Sequence, residues 1–436
     1  MCFNKQTIRD IDVTGKTVML RADYNVPLSS TGKITDDYRI QQSLPTIKYL
    51  LDRKAKVVII SHLGRPEGKI DKKFSLRPVA EELRHLLAPT EVKFAHDCVG
   101  EDIQKAVSQL KNGEVLLLEN LRFHKQEEDN DSDFAKQLAS LAEIFVQDGF
   151  GVVHRAHAST DSITKFIPSV AGLLLEKEVD TITNVMEIPK RPLVTIIGGA
   201  KIADKIDLLN KFIEISDFVA VGGAMANTFL KAINLDIGHS VYDKTEINLA
   251  KDILDKAHEK STKQPFNFFL PQDAVVAKTI SNLSHTRIVD WSSHMIADIE
   301  NYPSKPSPHD FKINKDEMIL DIGPFSAAFI AGAIQLAGSV IWNGTLGVTE
   351  TQSLHGPVGP FARGTETVVE SMLGDFGHRP FSLVGGGDTV GYLESRKIID
   401  SFDHVSTGGG ASLELMAGRK LPGVEALMDK KEKARI

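Results

Sequence analysis

Short apolar runs of strand length, separated by longer amphipathic stretches, recur along the whole chain, and this alternation is what a parallel sheet covered by helices requires. The earlier runs are Lys16 to Ala22, Lys56 to Ser61, Glu114 to Glu119 and Ile144 to Gln147. An amphipathic segment from about Ser169 to Glu187 then reads as one long helix, closed by the Pro-Lys-Arg-Pro break at 189 to 192. Beyond it the alternation restarts with Leu193 to Ile197, Phe218 to Val221, Asn267 to Leu270, Met318 to Ile322, Ser339 to Trp342, Phe381 to Val384 and His404 to Ser406. A single sheet holding all these strands would be unusually wide, so the pattern predicts an α/β protein of two doubly wound, Rossmann-like parallel-sheet domains joined by that helix. Ser281 to Lys315, with Ser, His and Pro scattered through it, reads as a surface elaboration, and the Lys-rich Asp429 to Ile436 as a solvated tail.

Charge and cysteine content narrow the function classes. A net charge of −7 argues against a nucleic-acid or acidic-membrane surface, so any basic site has to be local. Cysteine occurs only at Cys2 and Cys98, too sparsely for a disulfide framework or a cysteine-rich metal site. Neither an apolar signal core after Met1 nor a membrane-length apolar run is present, and the expectation is a cytoplasmic protein without a membrane partner.

In open α/β sheets ligands bind beyond the carboxyl ends of the strands, so those residues carry the functional reading. In the first half they are Arg21-Ala-Asp23-Tyr-Asn25, Ser61-His62-Leu63-Gly64-Arg65, Glu119-Asn-Leu-Arg122 and Asp148-Gly-Phe-Gly-Val-Val-His154-Arg155, with Arg39 after the polar loop Thr35-Asp-Asp-Tyr. Converged on one edge, Arg39, His62, Arg65, Arg122 and Arg155 would hold a small polyanion, with Asp23 and Asn25 facing its hydroxyls. His154 and His157 stand three apart, as metal ligands sometimes do, but without an evident third ligand.

In the second half the strand ends are glycines: Gly198-Gly199-Ala-Lys201, Gly222-Gly223, Asp321-Ile-Gly-Pro, Trp342-Asn343-Gly, Gly385-Gly386-Gly387-Asp388-Thr389 and Thr407-Gly408-Gly409-Gly410. Such a row lets the backbone approach the base and phosphates of a nucleotide closely. Lys201 and Lys205, four apart at a helix start, could neutralise phosphate charge, and Asp388 could meet a nucleotide-bound Mg²⁺ or cap its helix. The Gly-Lys-Ser/Thr ending of a P-loop and the G-x-G-x-x-G turn of a nicotinamide dehydrogenase are both absent.

The motifs RADYNVPL, GKITDDYRI, SHLGRP, LENLRFHKQEE, DGFGVVHRAHAST, GGAKIADKI, VGGAMANTFLKA, LPQDAVVA, DIGP, WNGTLGV, VGGGDT and HVSTGGGASLEL follow one another from about Thr7 to Leu427. In that order they make the chain resemble the phosphoglycerate kinase family. The resemblance implies an N-terminal triose domain over 1–170 to which 412–436 returns, a linking helix and hinge over 171–190, and a nucleotide domain over 191–411. It implies reversible phosphoryl transfer between 1,3-bisphosphoglycerate and ADP in a closed interdomain cleft, with Mg²⁺ accompanying ATP or ADP, in a monomer. The implied triose site is Asp23, Asn25, Arg39, His62, Leu63, Gly64, Arg65, Arg122 and Arg155. The implied nucleotide site is Gly199, Lys201, Lys205, Gly223, Asn343, Glu350 for the ribose, Gly386, Gly387, Asp388 and Thr389. Arg39, Lys201, Gly386 and Gly409 are the implied catalytic positions, and Asp388 the metal position. The chain departs from the family pattern at Ala224, Ile319, Phe325, Ser326, Thr345 and Thr349, all on the nucleotide side.

Overall fold

The computed structural model describes residues 3–291, 312–354 and 356–430. The chain forms two compact units, one of Met1–Asn184 with Thr407–Ile436 and the other of Val185–Ser406.

The first unit is built on β1 (Thr17–Arg21), β2 (Lys56–Ile60), β3 (Val92–Phe94), β4 (Val115–Leu117), β5 (Ile144–Gln147) and β6 (Ser169–Ala171). They form one parallel sheet in the order β3-β4-β2-β1-β5-β6. Both faces are covered, so the strands are apolar throughout: Val18, Leu20, Val57, Ile59 and Val146 pack against one helical layer, and Met19, Val58, Ile60 and Phe145 against the other. From β1 the chain runs to β2 on one side and later to β5 on the other, so the order reverses at β1 and leaves a crevice beyond its carboxyl end.

The expected helix from Ser169 is interrupted at its start. Ser169–Ala171 joins the sheet beside β5, and the helix runs over Leu173–Glu187. The reason lies at Gly172, where a Cβ would fall 2.1 Å from Asp148 Oδ1. That oxygen accepts from the amides of Leu174 and Leu175, at 2.9 and 3.2 Å, and so fixes where the helix begins. The C-terminal segment lies on this unit: Gly423 N donates to Val153 O, and the buried Lys5 Nζ donates to Glu425 O at 2.9 Å, Leu427 O at 3.2 Å and Asp429 Oδ1 at 2.7 Å.

The second unit carries β7 (Leu193–Ile197), β8 (Phe218–Val221), β9 (Asn267–Phe269), β10 (Asp273–Ala277), β11 (Arg287–Asp290), β12 (Met318–Ile322), β13 (Ser339–Asn343), β14 (Phe381–Gly385) and β15 (His404–Val405). Its main sheet is parallel, in the order β15-β14-β13-β7-β8-β9, and reverses between β7 and β13. Met318–Ile322, expected in that sheet, instead pairs antiparallel with β10 in the small sheet β11-β10-β12. An apolar run of five does not encode which sheet receives it. Within the irregular 281–315 segment Arg287–Asp290 is a strand, anchored by Arg287 Nε donating to Glu317 Oε1 at 2.8 Å, and residues 292–311 lie outside the described residues.

Candidate active site

At the reversal point of the first unit the strand ends assemble around Asp23. Arg39 Nη1 donates to one of its oxygens at 2.8 Å, and the amide of Asn25 donates to the other at 3.1 Å. Burial would raise this carboxyl, but the charges of Arg39 and Arg21 and the amide of Asn25 outweigh it and hold it at about 2. Gly151, after β5, leaves room for it, since a Cβ there would lie 2.2 Å from Asp23 Oδ2.

His62 is buried behind Asp23, with its Nδ1 3.3 Å from Arg21 Nη2. A guanidinium only donates, so Nδ1 accepts and the ring carries its proton on Nε2. Burial pushes the imidazole well below its ordinary range; Asp23 opposes this, and Arg21, Arg122 and Arg39 add to it. His62 is therefore a neutral donor. Arg21 in turn donates through Nε to Ser159 Oγ at 2.9 Å, and Ser159 Oγ to the buried Glu127 at 2.6 Å.

Arg122 is buried and donates to Gly64 O at 2.9 Å, while Gly64 N donates to Asn25 Oδ1 at 2.8 Å, which ties the loops after β1, β2 and β4 together. Leu63 packs into the core beneath this loop, and Arg65 and Arg155 are exposed. The cations sense one another: burial lowers His157 to about 4, helped by Arg122, Arg21 and Arg155. The Gly408–Gly410 turn borders the same unit. A Cβ at Gly408 would meet Phe150 at 2.5 Å and one at Gly410 would meet His154 Nε2 at 3.0 Å, while Gly409 opens the helix Gly409–Met416.

In the second unit the turns after β7 and β13 touch at the reversal point. Gly198 N donates to Asn343 O at 2.9 Å, and a Cβ at Gly198 would stand 2.0 Å from Thr345 O. Lys205 Nζ bridges both turns, donating to Gly198 O and Asn343 Oδ1 at 2.7 Å each. Burial draws its ammonium down to about 8, against the Asp388 and Asp204 carboxylates. Gly223, with φ +65°, adopts a conformation suited to glycine and donates to Leu346 O at 3.0 Å. Thr389 Oγ1 accepts from Gly344 N at 2.7 Å, and Gly386 sits where a Cβ would crowd Asn343 at 3.1 Å. Gly387 and Asp388 occupy the first turn of the helix Gly387–Ser395. A cavity of about 210 Å³ is bounded by Gly199, Gly223, Thr345, Glu350 and Asp388. Lys201 is exposed beside the Gly198-Gly199 turn, and Trp342 is core, its Nε1 donating to Gly344 O.

Sequence reasoning assigned no role to Arg21, Glu127 and Ser159. A charged residue closing an apolar strand was the available signal for Arg21, whereas Glu127 and Ser159 become partners only through the fold. Asp388 is an exposed carboxylate beside the cavity, a donor that suits Mg²⁺, which takes one or two protein carboxylates and completes its shell with phosphate and water.

The family model for phosphoglycerate kinase matches residues 8–419. Over 426 residues, 98% of this chain and 100% of the relative, the chain is 42% identical to phosphoglycerate kinase of Pelotomaculum thermopropionicum. It is 43% identical to that of Dictyoglomus turgidum over 97% of this chain and 98% of the relative. Among solved structures, phosphoglycerate kinase from Coxiella burnetii superposes with a TM-score of 0.79 at 34% identity, covering 97% of this chain and 98% of that one. The enzyme from Pyrococcus horikoshii gives 0.79 at 28% identity with the same coverage. Matched along nearly its full length by sequence, and with a conformity of fold that extends over both units, the chain belongs to the phosphoglycerate kinase family.

Proposed function

We propose that the chain transfers a phosphoryl group reversibly between 1,3-bisphosphoglycerate and ADP, giving 3-phosphoglycerate and ATP. The observation that carries this reading is the concentration of Arg39, His62 and Arg122 around Asp23 at the first unit's reversal point. Asn25, His62, Leu63, Gly64, Arg65, Arg122 and Arg155 hold the triose there, with Asp23 on its hydroxyls and the cations on its phosphate and carboxylate. The Gly199 and Gly223 turns, Lys201, Lys205, Asn343, Gly386, Gly387 and Thr389 hold the nucleotide phosphates, and Glu350 the ribose.

The acceptor in the ATP-consuming direction is a carboxylate already ionised at neutral pH, so the protein needs no general base. Its work is positioning and charge stabilisation of a loose transition state. Arg39 and Lys201 supply cationic donors to the equatorial oxygens, and backbone amides at Gly386 and Gly409 supply neutral ones. Asp388 would hold the Mg²⁺ that accompanies the nucleotide and neutralises phosphate charge. Transfer is in line, in an interdomain cleft that closes and excludes water, which would otherwise hydrolyse the acyl phosphate. The helix Leu173–Glu187 serves in the hinge. The protein works as a cytoplasmic monomer; among the described residues no helix is long and apolar enough to cross a membrane.

A coupled assay of ATP formation from 1,3-bisphosphoglycerate and ADP tests the reading. Turnover dependent on both substrates is expected, and substrate binding without turnover would move the assignment to a non-catalytic relative.

A further inference from the structure

Behind the cations of the first unit lies a line of buried polar side chains drawn from four strand ends. Arg21 closes β1, His62 follows β2, Glu127 lies beyond β4 on the turn Lys125–Glu127, and Ser159 lies beyond β5. Ser159 Oγ donates to Glu127 Oε1 at 2.6 Å, and Ser159 N donates to Glu127 Oε2 at 3.0 Å. A hydroxyl has one proton, and with that proton on Glu127 its lone pairs are left for Arg21 Nε, which donates to them at 2.9 Å. The guanidinium is a rigid plane, so anchoring Nε also sets where Nη2 meets His62 Nδ1, at 3.3 Å.

Charge runs along the same line. Burial lowers Arg21, and Glu127 opposes this more than Asp23 does. Asp23 is already engaged by Arg39 and by the amide of Asn25. Glu127 is thus the carboxylate that supports a guanidinium only 1% exposed. Glu127 itself is 0% exposed, so it touches no ligand, and whatever it does for the reaction it does through Ser159 and Arg21. His157 Nδ1 lies 3.8 Å from Glu127 Oε1, too far for a hydrogen bond.

We propose that Glu127 is a positioning residue for the triose site: through Ser159 it orients the Arg21 guanidinium, and Arg21 holds His62 with its proton on Nε2, the donor offered to the triose. The opposite tautomer would set an N–H of His62 against Arg21 and a lone pair against an oxygen of the triose. Glu127→Gln replaces one acceptor oxygen by an amino group while Ser159 keeps both its donors, so one of the two bonds is lost together with the charge that supports Arg21. The inference rests on reading this strand edge as the triose site of the phosphoglycerate kinase reaction.

The test reads the His62 tautomer directly, by long-range proton-nitrogen NMR spectra of the full chain without substrate, its signals identified by their loss in His62→Gln. Wild type should show the proton on Nε2 alone, and Glu127→Gln a mixture of both tautomers. In steady-state kinetics Glu127→Gln should raise the KM for 3-phosphoglycerate about tenfold, the size of one hydrogen bond. The KM for ATP and kcat should stay within about twofold of wild type. Ser159→Ala, which removes the relay without altering any charge, should do the same in both measurements and decides where Glu127→Gln fails to fold. An unmoved tautomer overturns the proposal whatever the kinetics, since a merely structural role would leave the ring proton where it is. A moved tautomer with an unchanged KM for 3-phosphoglycerate overturns it as well. Absence of turnover in wild type would instead count against the kinase reading, and the spectra, which need no substrate, would still decide whether Glu127 sets His62.

Discussion

Arg39 Nη1 donates to Asp23 Oδ2 at 2.8 Å, joining a residue of the first long helix to one just beyond β1. The pair holds a cation ready at the site while keeping its own carboxylate ionised. Arg39→Ala should lower kcat by about a thousandfold, the scale of losing a charged transition-state donor. ATP binding to the full chain, measured by calorimetry, should stay within about twofold of wild type. Turnover like wild type in this variant would sink the assignment of Arg39.

Gly151 touches the same carboxylate from the other side, and a Cβ there would sit 2.2 Å from Asp23 Oδ2. Gly151→Ala therefore displaces Asp23 without altering any charge. The expected result is a KM for 3-phosphoglycerate raised about ten- to a hundredfold, with the KM for ATP unchanged. Steady-state kinetics with each substrate varied in turn separates the two.

Lys205 is both a phosphate cation in the proposed reaction and a bolt between the turns after β7 and β13. Lys205→Met removes charge-assisted bonds that contribute on the order of 2 kcal/mol. Thermal melts without nucleotide should show a lower Tm, and ADP affinity should fall as well. Weaker binding with an unaltered Tm would leave Lys205 a ligand residue alone.

Burial pushes the Asp148 carboxyl up to about 7, against a hydrogen bond from Thr46 and the two amides at the helix start. The folded protein then keeps a proton that the unfolded chain releases near pH 3.8. This group's stabilisation is complete below that pH and is lost as pH rises through about 7, with a slope approaching about 1.4 kcal/mol per pH unit in between. Asp148→Asn keeps an acceptor for the helix amides and removes the titration. Urea unfolding from pH 5 to 8 should show a flatter stability profile for the variant; parallel profiles would refute the assignment.

Much of the fold was legible because apolar runs mark buried parallel strands: Ile144–Gln147, Leu193–Ile197 and Phe218–Val221 lie where the sequence places them. Val92–Phe94 was invisible because a three-residue edge strand containing Lys93 has no apolar period to detect. Asp273–Ala277 and Arg287–Asp290 form a small antiparallel sheet whose pairing depends on distant Met318–Ile322. At the site, Asp23 and Arg122 announced themselves as polar residues at strand ends, and Arg39 as a cation following a polar loop. Glu127 did not, since a glutamate in a polar stretch reads as solvent-facing until the fold buries it against Ser159. The tautomer of His62 likewise depends on Arg21, a partner 41 positions away.

The returning segment also sets an order of assembly on the ribosome. Residues 185–406 emerge complete, down to the last strand of their sheet, before Thr407 onward can be laid against the first unit. Until then the Lys5 ammonium lacks the carbonyls of Glu425 and Leu427 that satisfy it in the finished fold. Every residue of the second unit is therefore available before the first unit can be completed, and Lys5 meets its carbonyl partners only once Leu427 has been made.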